Sequence, residues 1–298
     1  MNKEFTYSFI IPHKNCPDLL QRCVDSIPER DDVEIIVVDD NSTEGKKPSL
    51  KEHKNLQVIL LDAERSKGAG RARNVGLEHA KGKWLLFADA DDYYNENELK
   101  KILNKYLKDE STDLVYLNAC VFDEEGNTSP YKTEVLFSNY SKGIFGAEGH
   151  LRYSLWTPWS RMVKRSLVES YNIRFDELPA CNDKMFCLYC SRYAKQIFVE
   201  NSVVYNYYKP KRGSITDKQR NNLMLDGLLD VRGKTIELYE EVGYCPIPAF
   251  FELAFFSKYS KGLNLSVSFA KYRAILNKYN QSMIKDLLRY LKISIKKI

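Results

Sequence analysis

The chain has 298 residues, of which 44% are hydrophobic and 29% are charged, a balance typical of a soluble globular protein. Its longest apolar stretches, IIVV and WLLFA, are far shorter than the roughly 20 residues that a membrane span needs, and the opening residues lack the pattern of a secretory signal. The seven cysteines form no disulfide-like framework, so we expect a reducing cytoplasm.

The net charge of +5 is unevenly distributed along the chain. Residues 251–298 contain ten Lys or Arg and two acids, a balance of +8, whereas residues 1–250 carry 35 bases and 38 acids. The basic tail therefore needs an explanation separate from that of the nearly neutral remainder.

Short apolar runs alternate with helical patterns, which predicts an α/β fold of βαβ units around a mainly parallel sheet flanked by helices. Strands are predicted at residues 7–12, 33–40, 56–62, 83–92 and 113–122, the last continuing the alternation of strands and helices. Residues 123–215 show a mixed pattern, with a polar hairpin and a strand at 203–210. From residue 216 to the end the pattern is helical, which predicts a C-terminal helical extension.

Three predicted strands end in aspartate, at Asp39–Asp40, at Asp62 and at Asp89–Asp91–Asp92. In open α/β sheets the ligand lies beyond the carboxyl ends of the strands. Acids gathered at that edge indicate a cation, a ribose or both. Capping of the following helix is the simpler explanation for Asp62, but it does not explain two tight clusters.

The strongest signal is FADADD, in which an apolar strand leads Asp89 and Asp91 into a tight turn. Their carboxylates are hard oxygen ligands, suited to Mg²⁺ or Mn²⁺ bridging a diphosphate. A D-x-D triplet alone is weak evidence. The buried strand before it and the nearby RARNVG helix start make it more specific.

In this context the chain resembles a family 2 glycosyltransferase with the GT-A fold. The matching stretches occur in the family's order over about residues 5–215: SFIIPHKNCPDLLQRCVDSI, IIVVDDNSTEG, GAGRARNVGLEHAKGKWLLFADADDYY, TPWSRMVKRSLV and NDKMF. The resemblance implies a catalytic domain over 1–215, with a nucleotide-sugar half (about 1–122) and an acceptor half (about 123–215), followed by the extension 216–298.

The resemblance also implies the donor site. Pro12 and Asp40 would lie at the nucleoside, usually uridine, with Asp39 nearby. Arg73 would lie near the nucleotide, although a surface arginine on a helix is the alternative. Asp89 would contact the ribose and the metal, and Asp91 would be the principal ligand of Mn²⁺ or Mg²⁺.

On the acceptor side, the resemblance assigns Asp183 as the general base. A helix-capping acid is the alternative reading of this residue. Asn182 replaces the family's usual Glu, so it cannot carry charge but can orient a neighbour or bind a sugar hydroxyl. Trp159 would offer its face to a sugar ring. Lys211 or Arg212 would neutralise the departing diphosphate, unless they only form an exposed basic loop.

The implied reaction is a metal-dependent, inverting transfer of a hexosyl or N-acetylhexosaminyl group from a UDP-sugar to a saccharide or lipid-linked saccharide. The implied pathway is cell-surface polysaccharide or glycolipid biosynthesis. The alternatives are a nucleotidyltransferase and a non-catalytic nucleotide-sugar-binding module. The chain has no G-x-G-x-x-G motif after its first strand, which argues against a dinucleotide-binding dehydrogenase, and no P-loop signature, which excludes the P-loop enzymes. A nucleic-acid-binding role would not explain the acidic crevice.

The basic tail interleaves its charges with aromatic and leucine residues at helical spacing. This pattern is typical of an interfacial helix, so we expect the protein to dock on the inner, anionic face of the cell membrane without crossing it. The alternative is that the aromatic residues pack on the catalytic domain and the bases face solvent.

Overall fold

A computed structural model describes residues 4–209 and 222–244, together with positions 270, 273, 274 and 277. The chain divides into two compact units. The first comprises Met1–Glu177 and Asn182–Thr216, and the second comprises Leu178–Cys181 and Asp217–Ile298. The domain boundary predicted after residue 215 lies outside the described residues.

The first unit is built on one sheet, which has nine strands in the described part of the chain. These strands are β1 (Tyr7–His13), β2 (Val33–Asp39), β3 (Leu56–Leu60), β4 (Trp84–Phe87), β5 (Tyr93–Tyr94), β6 (Leu114–Phe122), β7 (Thr128–Pro130), β8 (Arg161–Lys164) and β9 (Ile197–Tyr208). Their order across the sheet is β3-β2-β1-β4-β8-β6-β9-β5, with β7 paired to β6.

Seven described helices belong to the first unit and one to the second. They are α1 (Pro17–Asp25), α2 (Ala69–His79), α3 (Glu96–Tyr106), α4 (Thr133–Ser141), α5 (Ala147–Ser154), α6 (Arg165–Ser170) and α7 (Lys184–Tyr193) in the first unit, and α8 (Asn222–Glu241) in the second.

The first four long strands form the parallel half of the sheet. β1 pairs in parallel with β2 and β4, and β2 pairs in parallel with β3. Every residue of β1 and β2 is buried, as their continuous apolar runs predict for strands covered on both faces. Because the strands are parallel, their carboxyl ends bring the segments after residues 13, 39 and 87 to the same edge.

The rest of the sheet is mixed. The fifth predicted strand is present as β6 and runs in the same direction as β4, but the short strand β8 inserts between them and pairs antiparallel with both. β9 then runs parallel to β6. The predicted polar hairpin is present, since β7 folds back antiparallel on the end of β6.

The hydrophobic core has two layers, one on each face of the sheet. Alternate residues of β1 point to opposite faces, so Phe9 and Ile11 join one cluster while Ile10 joins the other. Helices α1 and α3 cover the first face, and α2 and α7 cover the second. The two layers fix the helices that carry the site residues against the carboxyl edge of the sheet.

In the second unit, α8 is the helix that the structure describes over consecutive residues, and it agrees with the predicted helical extension. Most of the basic tail lies outside the described residues. Among the helices that are described, none is long and apolar enough to cross a membrane.

Candidate active site

The acidic turn follows β4 at the carboxyl edge of the sheet. Asp89 and Asp91 are both half-buried, and the turn is closed by a hydrogen bond from the Asp92 N–H to the Asp89 carbonyl oxygen (3.0 Å). Arg22 of α1 donates from Nη2 to the carbonyl oxygen of Asp91 (2.6 Å). The turn is therefore held from both sides while the two carboxylates stay accessible.

Asp92, the third acid of FADADD, has a different role because it is fully buried. Its carboxylate accepts hydrogen bonds from the Tyr205 hydroxyl (2.7 Å) and from the Tyr208 backbone N–H (2.7 Å). The Tyr205 hydroxyl also accepts the backbone N–H of Asp89 (2.9 Å). Burial and the charges of Asp89 and Asp91 raise the pKa of Asp92. Asp92 therefore ties the acidic turn to β9.

Arg73 connects the two halves of the site. Its guanidinium is buried, donating to Asp89 Oδ1 (2.6 Å) through Nη2 and to Asn182 Oδ1 (2.9 Å) through Nη1. It also lies over the ring of Phe175, 5.4 Å from its centroid. A buried charge is costly unless it is paired, so this arrangement fixes Arg73 beside Asp89 and excludes the surface-arginine reading.

Asp183 lies immediately before α7, at the N-cap position, but its side chain makes no capping hydrogen bond. Burial raises the pKa of its carboxyl group, and the positive charge of Arg73 opposes that rise. The carboxylate also interacts electrostatically with Asp89. Asp183 and Asp89 therefore share Arg73 as a common neighbour, which brings the predicted base and the acidic turn together.

The segment before Asn182 is clamped to α2 by close packing. Asn74 donates from Nδ2 to the Phe175 carbonyl (3.0 Å) and accepts the Phe175 N–H at Oδ1 (2.9 Å). A Cβ placed on Gly70 would lie 2.1 Å from the carbonyl oxygen of Asp176. Only glycine at residue 70 allows the backbone of this segment to approach α2 so closely.

This packing predicts that Gly70→Ala destabilises the fold. Alanine normally favours a helix by about 1 kcal/mol over glycine, but the clash should outweigh that gain and lower the free energy of unfolding by about 1–3 kcal/mol. Gly227→Ala on α8 is the matched control, because a Cβ there would lie no closer than 3.4 Å to its nearest neighbour, Leu178 Cδ2. Urea denaturation of both variants is the measurement, and equal stability of the two would contradict the clamp.

Asp39 and Asp40, at the carboxyl end of β2, are buried, and both carboxylates have partners. Asp39 pairs with His13 (Oδ1 to Nδ1, 2.7 Å) and accepts the Ser42 N–H (3.0 Å). The Asp40 carboxylate accepts hydrogen bonds from the Lys14 ammonium (2.9 Å) and from the Gly68 backbone N–H (3.1 Å). These contacts position the loops that follow β1 and β3. Pro12 is buried in β1 directly before this cluster.

Trp159 lies in the core and is only 3% exposed. Its indole stacks on Tyr205 (4.7 Å between centroids) and on Tyr207 (5.6 Å), both from β9. Because these tyrosines cover it, little of the ring is open to a sugar in this structure. Lys211 and Arg212 lie outside the described residues.

Asp62 is exposed and binds Arg65 within its own turn, through the Arg65 backbone N–H (2.9 Å) and Nε (3.0 Å). It takes no part in the site. The explanation that Asp62 caps the following helix was wrong, because the N-cap residue of α2 is Gly68 and Asp62 only closes an exposed turn.

The electrostatics of the acidic turn suit a divalent cation. Burial and, to a lesser extent, the negative charge of Asp89 raise the pKa of Asp91 to about 6. A cation between them would relieve that repulsion. Within the described ranges, no three His, Cys, Asp or Glu side chains gather around a possible ion position. The pair would supply two ligands, and a bound diphosphate would have to supply others.

Comparison with known proteins identifies the family. The model described as "Glycosyl transferase family 2" matches residues 8–171, more than half of the sequence. The chain belongs to glycosyl transferase family 2.

Two curated relatives and two solved structures illustrate the likeness. The chain is 26% identical over 214 residues to the poly(ribitol-phosphate) beta-N-acetylglucosaminyltransferase TarS of Staphylococcus aureus, covering 69% of this chain and 36% of TarS. It is 24% identical over 221 residues to the UDP-Glc:alpha-D-GlcNAc-diphosphoundecaprenol beta-1,3-glucosyltransferase WfaP of Escherichia coli, covering 73% of this chain and 82% of WfaP.

The structure of S. aureus TarS 1–349 with UDP-GlcNAc matches 92% of this chain and 80% of its own, with a TM-score of 0.64 and 19% identity. The mannosyltransferase PcManGT from Pyrobaculum calidifontis, solved with GDP-Man and Mn²⁺, matches all of this chain and 82% of its own, with a TM-score of 0.51 and 16% identity. The GT-A fold is confirmed by these likenesses. The chain spans 31–65% of the length of five curated relatives that it matches.

Proposed function

We propose that the chain transfers a sugar from a nucleotide donor to an acceptor hydroxyl with inversion at the anomeric carbon. The observation that carries this proposal is the bridge made by Arg73, which contacts Asp89 of the acidic turn and Asn182 beside Asp183. This contact supports one site in which the proposed cation-binding pair and a carboxylate with a raised pKa act together. A non-catalytic module would have no need of such a base.

A UDP-sugar is the proposed donor. The fold neighbour TarS was solved with UDP-GlcNAc, WfaP is named for UDP-Glc, and PcManGT was solved with GDP-Man. Pro12, Asp39 and Asp40 are proposed at the nucleoside. The test is a panel of UDP-, GDP- and dTDP-sugars assayed for release of the nucleoside diphosphate. Release from UDP-glucose or UDP-GlcNAc supports the proposal, and turnover confined to GDP-sugars would overturn the choice of nucleotide.

Asp89 and Asp91 are proposed to hold Mn²⁺ or Mg²⁺ together with the donor diphosphate. The metal would supply Lewis acidity to the leaving diphosphate. The chain's own contribution is to keep two accessible carboxylates beside the buried cation Arg73. Lys211 and Arg212 are proposed to face the same diphosphate, on sequence grounds alone.

This metal site predicts a pH dependence. The pKa of Asp91 is about 6, so its carboxylate is protonated below that pH and cannot coordinate a cation. We expect Mn²⁺ affinity in the presence of UDP to fall about tenfold or more between pH 7 and pH 5. Calorimetry at several pH values is the measurement. An affinity that stays constant between pH 5 and pH 7 would contradict a role for Asp91 as a metal ligand.

Asp183 is proposed as the general base that takes the proton from the acceptor hydroxyl as that oxygen attacks the anomeric carbon. Asn182 cannot share the proton, and its contact with Arg73 is proposed to orient the base instead. Trp159 is proposed on the acceptor side, where its stacking on Tyr205 and Tyr207 would shape the wall of the site rather than offer an open face.

The acceptor is proposed to be a saccharide or a lipid-linked saccharide of cell-surface polysaccharide biosynthesis, and the transferred group a hexose or an N-acetylhexosamine. TarS is named for poly(ribitol-phosphate) and WfaP for a sugar on diphosphoundecaprenol.

A peripheral location on the inner face of the membrane is proposed from charge alone, because nearly all of residues 251–298 lies outside the described residues. Each base near an anionic surface contributes about 1 kcal/mol. We expect the protein to sediment with anionic vesicles, to dissociate as salt rises, and to lose binding when truncated after Pro248. Neutral vesicles are the control. A full-length protein that ignores anionic vesicles at low salt would show that the tail does not bind membrane.

A further inference from the structure

A second charged region lies in the acceptor half, around the indole of Trp156. The Lys184 ammonium lies 4.0 Å from the ring centroid and the Lys132 ammonium lies 5.5 Å from it. Trp156 is held in place by the hydrogen bond from its Nε1 to the Tyr153 carbonyl (2.8 Å). We call Lys132, Trp156, Arg161 and Lys184 the cationic patch.

Arg161 adds a buried positive charge to this region. Its guanidinium is completely buried and donates to the carbonyl oxygens of Leu155 (2.5 Å), Thr157 (3.2 Å) and Cys187 (2.8 Å). No carboxylate of the described residues forms an ion pair with it. The segment 155–157 is thus fixed by a cation whose charge is not neutralised by direct contact.

The patch lies next to the proposed base. Lys184 follows Asp183 in the chain, and Asp183 interacts electrostatically with both Lys132 and Arg161. Tyr131, which precedes Lys132, also interacts with Asp183. Two charges of the patch, Lys132 and Arg161, therefore act on the Asp183 carboxylate, and the third belongs to the next residue in the chain, Lys184. Like charges held together repel, and a bound anion would relieve that repulsion.

We infer that the cationic patch binds a phosphate group of the acceptor, so that the acceptor substrate is a phosphorylated saccharide or polyol rather than a neutral one. Lys132 is exposed at the surface, and its ammonium uses one donor on the Ser154 carbonyl (3.3 Å), which leaves two for a ligand. A lysine ammonium is a common point-charge partner of phosphate. The inference rests on the proposed function, because it names the substrate that Asp183 deprotonates.

Two chemically related acceptors would carry such a phosphate, namely a phosphodiester-linked polyol and a saccharide on a prenyl diphosphate. The test compares three acceptors with the wild type and the preferred UDP-sugar: a neutral oligosaccharide, a short glycerol phosphate oligomer, and GlcNAc on a short-chain prenyl diphosphate. A KM at least about tenfold lower for one of the phosphorylated acceptors supports the inference and identifies which source is used. Equal KM values for neutral and phosphorylated acceptors would overturn it.

Substitutions then assign the effect to the patch. Lys132→Gln should raise the KM for the phosphorylated acceptor about tenfold with a smaller change in kcat. Lys132→Arg, which keeps the positive charge, should have a KM close to that of the wild type. Lys184→Met, which removes the ammonium beside the Trp156 ring but keeps a long side chain, should have the same effect as Lys132→Gln. Lys142→Gln, at the other end of α4, is the matched control and should behave as wild type.

The outcomes separate this inference from the proposed function. If the wild type transfers sugar to none of the acceptors and releases no UDP, the proposed function fails. If it transfers sugar but Lys132→Gln and Lys184→Met leave the KM of the phosphorylated acceptor unchanged, the patch assignment fails. A tenfold loss of UDP affinity in those variants, without a change in acceptor KM, would assign the lysines to the donor diphosphate and overturn the inference.

Discussion

Replacing Asp183 by asparagine is expected to reduce sugar transfer by about 10²-fold or more while the donor still binds. The amide keeps the shape of the side chain but cannot accept the proton of the acceptor hydroxyl. Because Asp183 makes no capping hydrogen bond to α7, the substitution should leave that helix intact. The measurement is the single-turnover rate of transfer from the preferred UDP-sugar, with the donor Kd determined in parallel.

Asp62→Asn is the matched control, since it makes the same chemical change at a strand-end aspartate that only closes an exposed turn. It should transfer sugar at the wild-type rate. A near-normal rate for Asp183→Asn would show that the base lies elsewhere. A loss of donor binding together with transfer would show that Asp183 is structural.

Replacing Asp91 by alanine is expected to abolish the metal dependence of UDP binding. In the wild type, Mn²⁺ should tighten UDP binding at pH 7.5, because Asp89 and Asp91 would hold the cation and its charge would offset that of the diphosphate. In Asp91→Ala, one of the two proposed protein ligands is missing, and the UDP affinity with Mn²⁺ should fall by about tenfold or more, towards its value in EDTA. Calorimetric titration with UDP, with and without Mn²⁺, is the measurement.

Asp92→Asn provides the comparison within the same turn. Its carboxyl group is committed to Tyr205 and Tyr208, so this variant should lose stability rather than metal dependence. Equal UDP affinity with and without Mn²⁺ in the wild type, or an unchanged response in Asp91→Ala, would remove the metal role.

The part of the site that lies on the parallel half of the sheet can be predicted from the sequence, because the residues that indicate it are neighbours in the chain. β1 and β2 are continuous apolar runs, and FADADD follows directly after β4, so the carboxylates and the sheet edge can be inferred from neighbouring residues. The assignment of Asp183 as the general base depended instead on the resemblance of NDKMF to a family motif. The structure adds that its carboxylate is not used as a helix cap.

The contacts that unite the site could not be predicted, because they join residues far apart in the chain. Arg73 reaches Asn182 across 109 positions, and Tyr205 reaches Asp92 across 113. Nothing in VVYNYY marks one tyrosine as a partner of a buried acid. His13 was missed for the same reason, since only folding brings it to Asp39.

The mixed half of the sheet was hidden by a short strand. β8 has only four residues, RMVK, too few for a clear alternation, yet its insertion separates β6 from β4 and gives both strands an antiparallel neighbour. We expected the ring of Trp159 to have an open face. Whether it does depends on the positions of Tyr205 and Tyr207, which follow from the order of strands β6 and β9 in the sheet.

The configuration of the transferred sugar tests the central claim most directly. A single displacement assisted by Asp183 must invert the anomeric carbon, so an α-linked UDP-sugar must give a β-linked product. Proton NMR of the product formed from UDP-glucose or UDP-GlcNAc reads this configuration from the coupling of the anomeric proton. A β-linked product is the expected result, and an α-linked product would contradict a single displacement with Asp183 as its base.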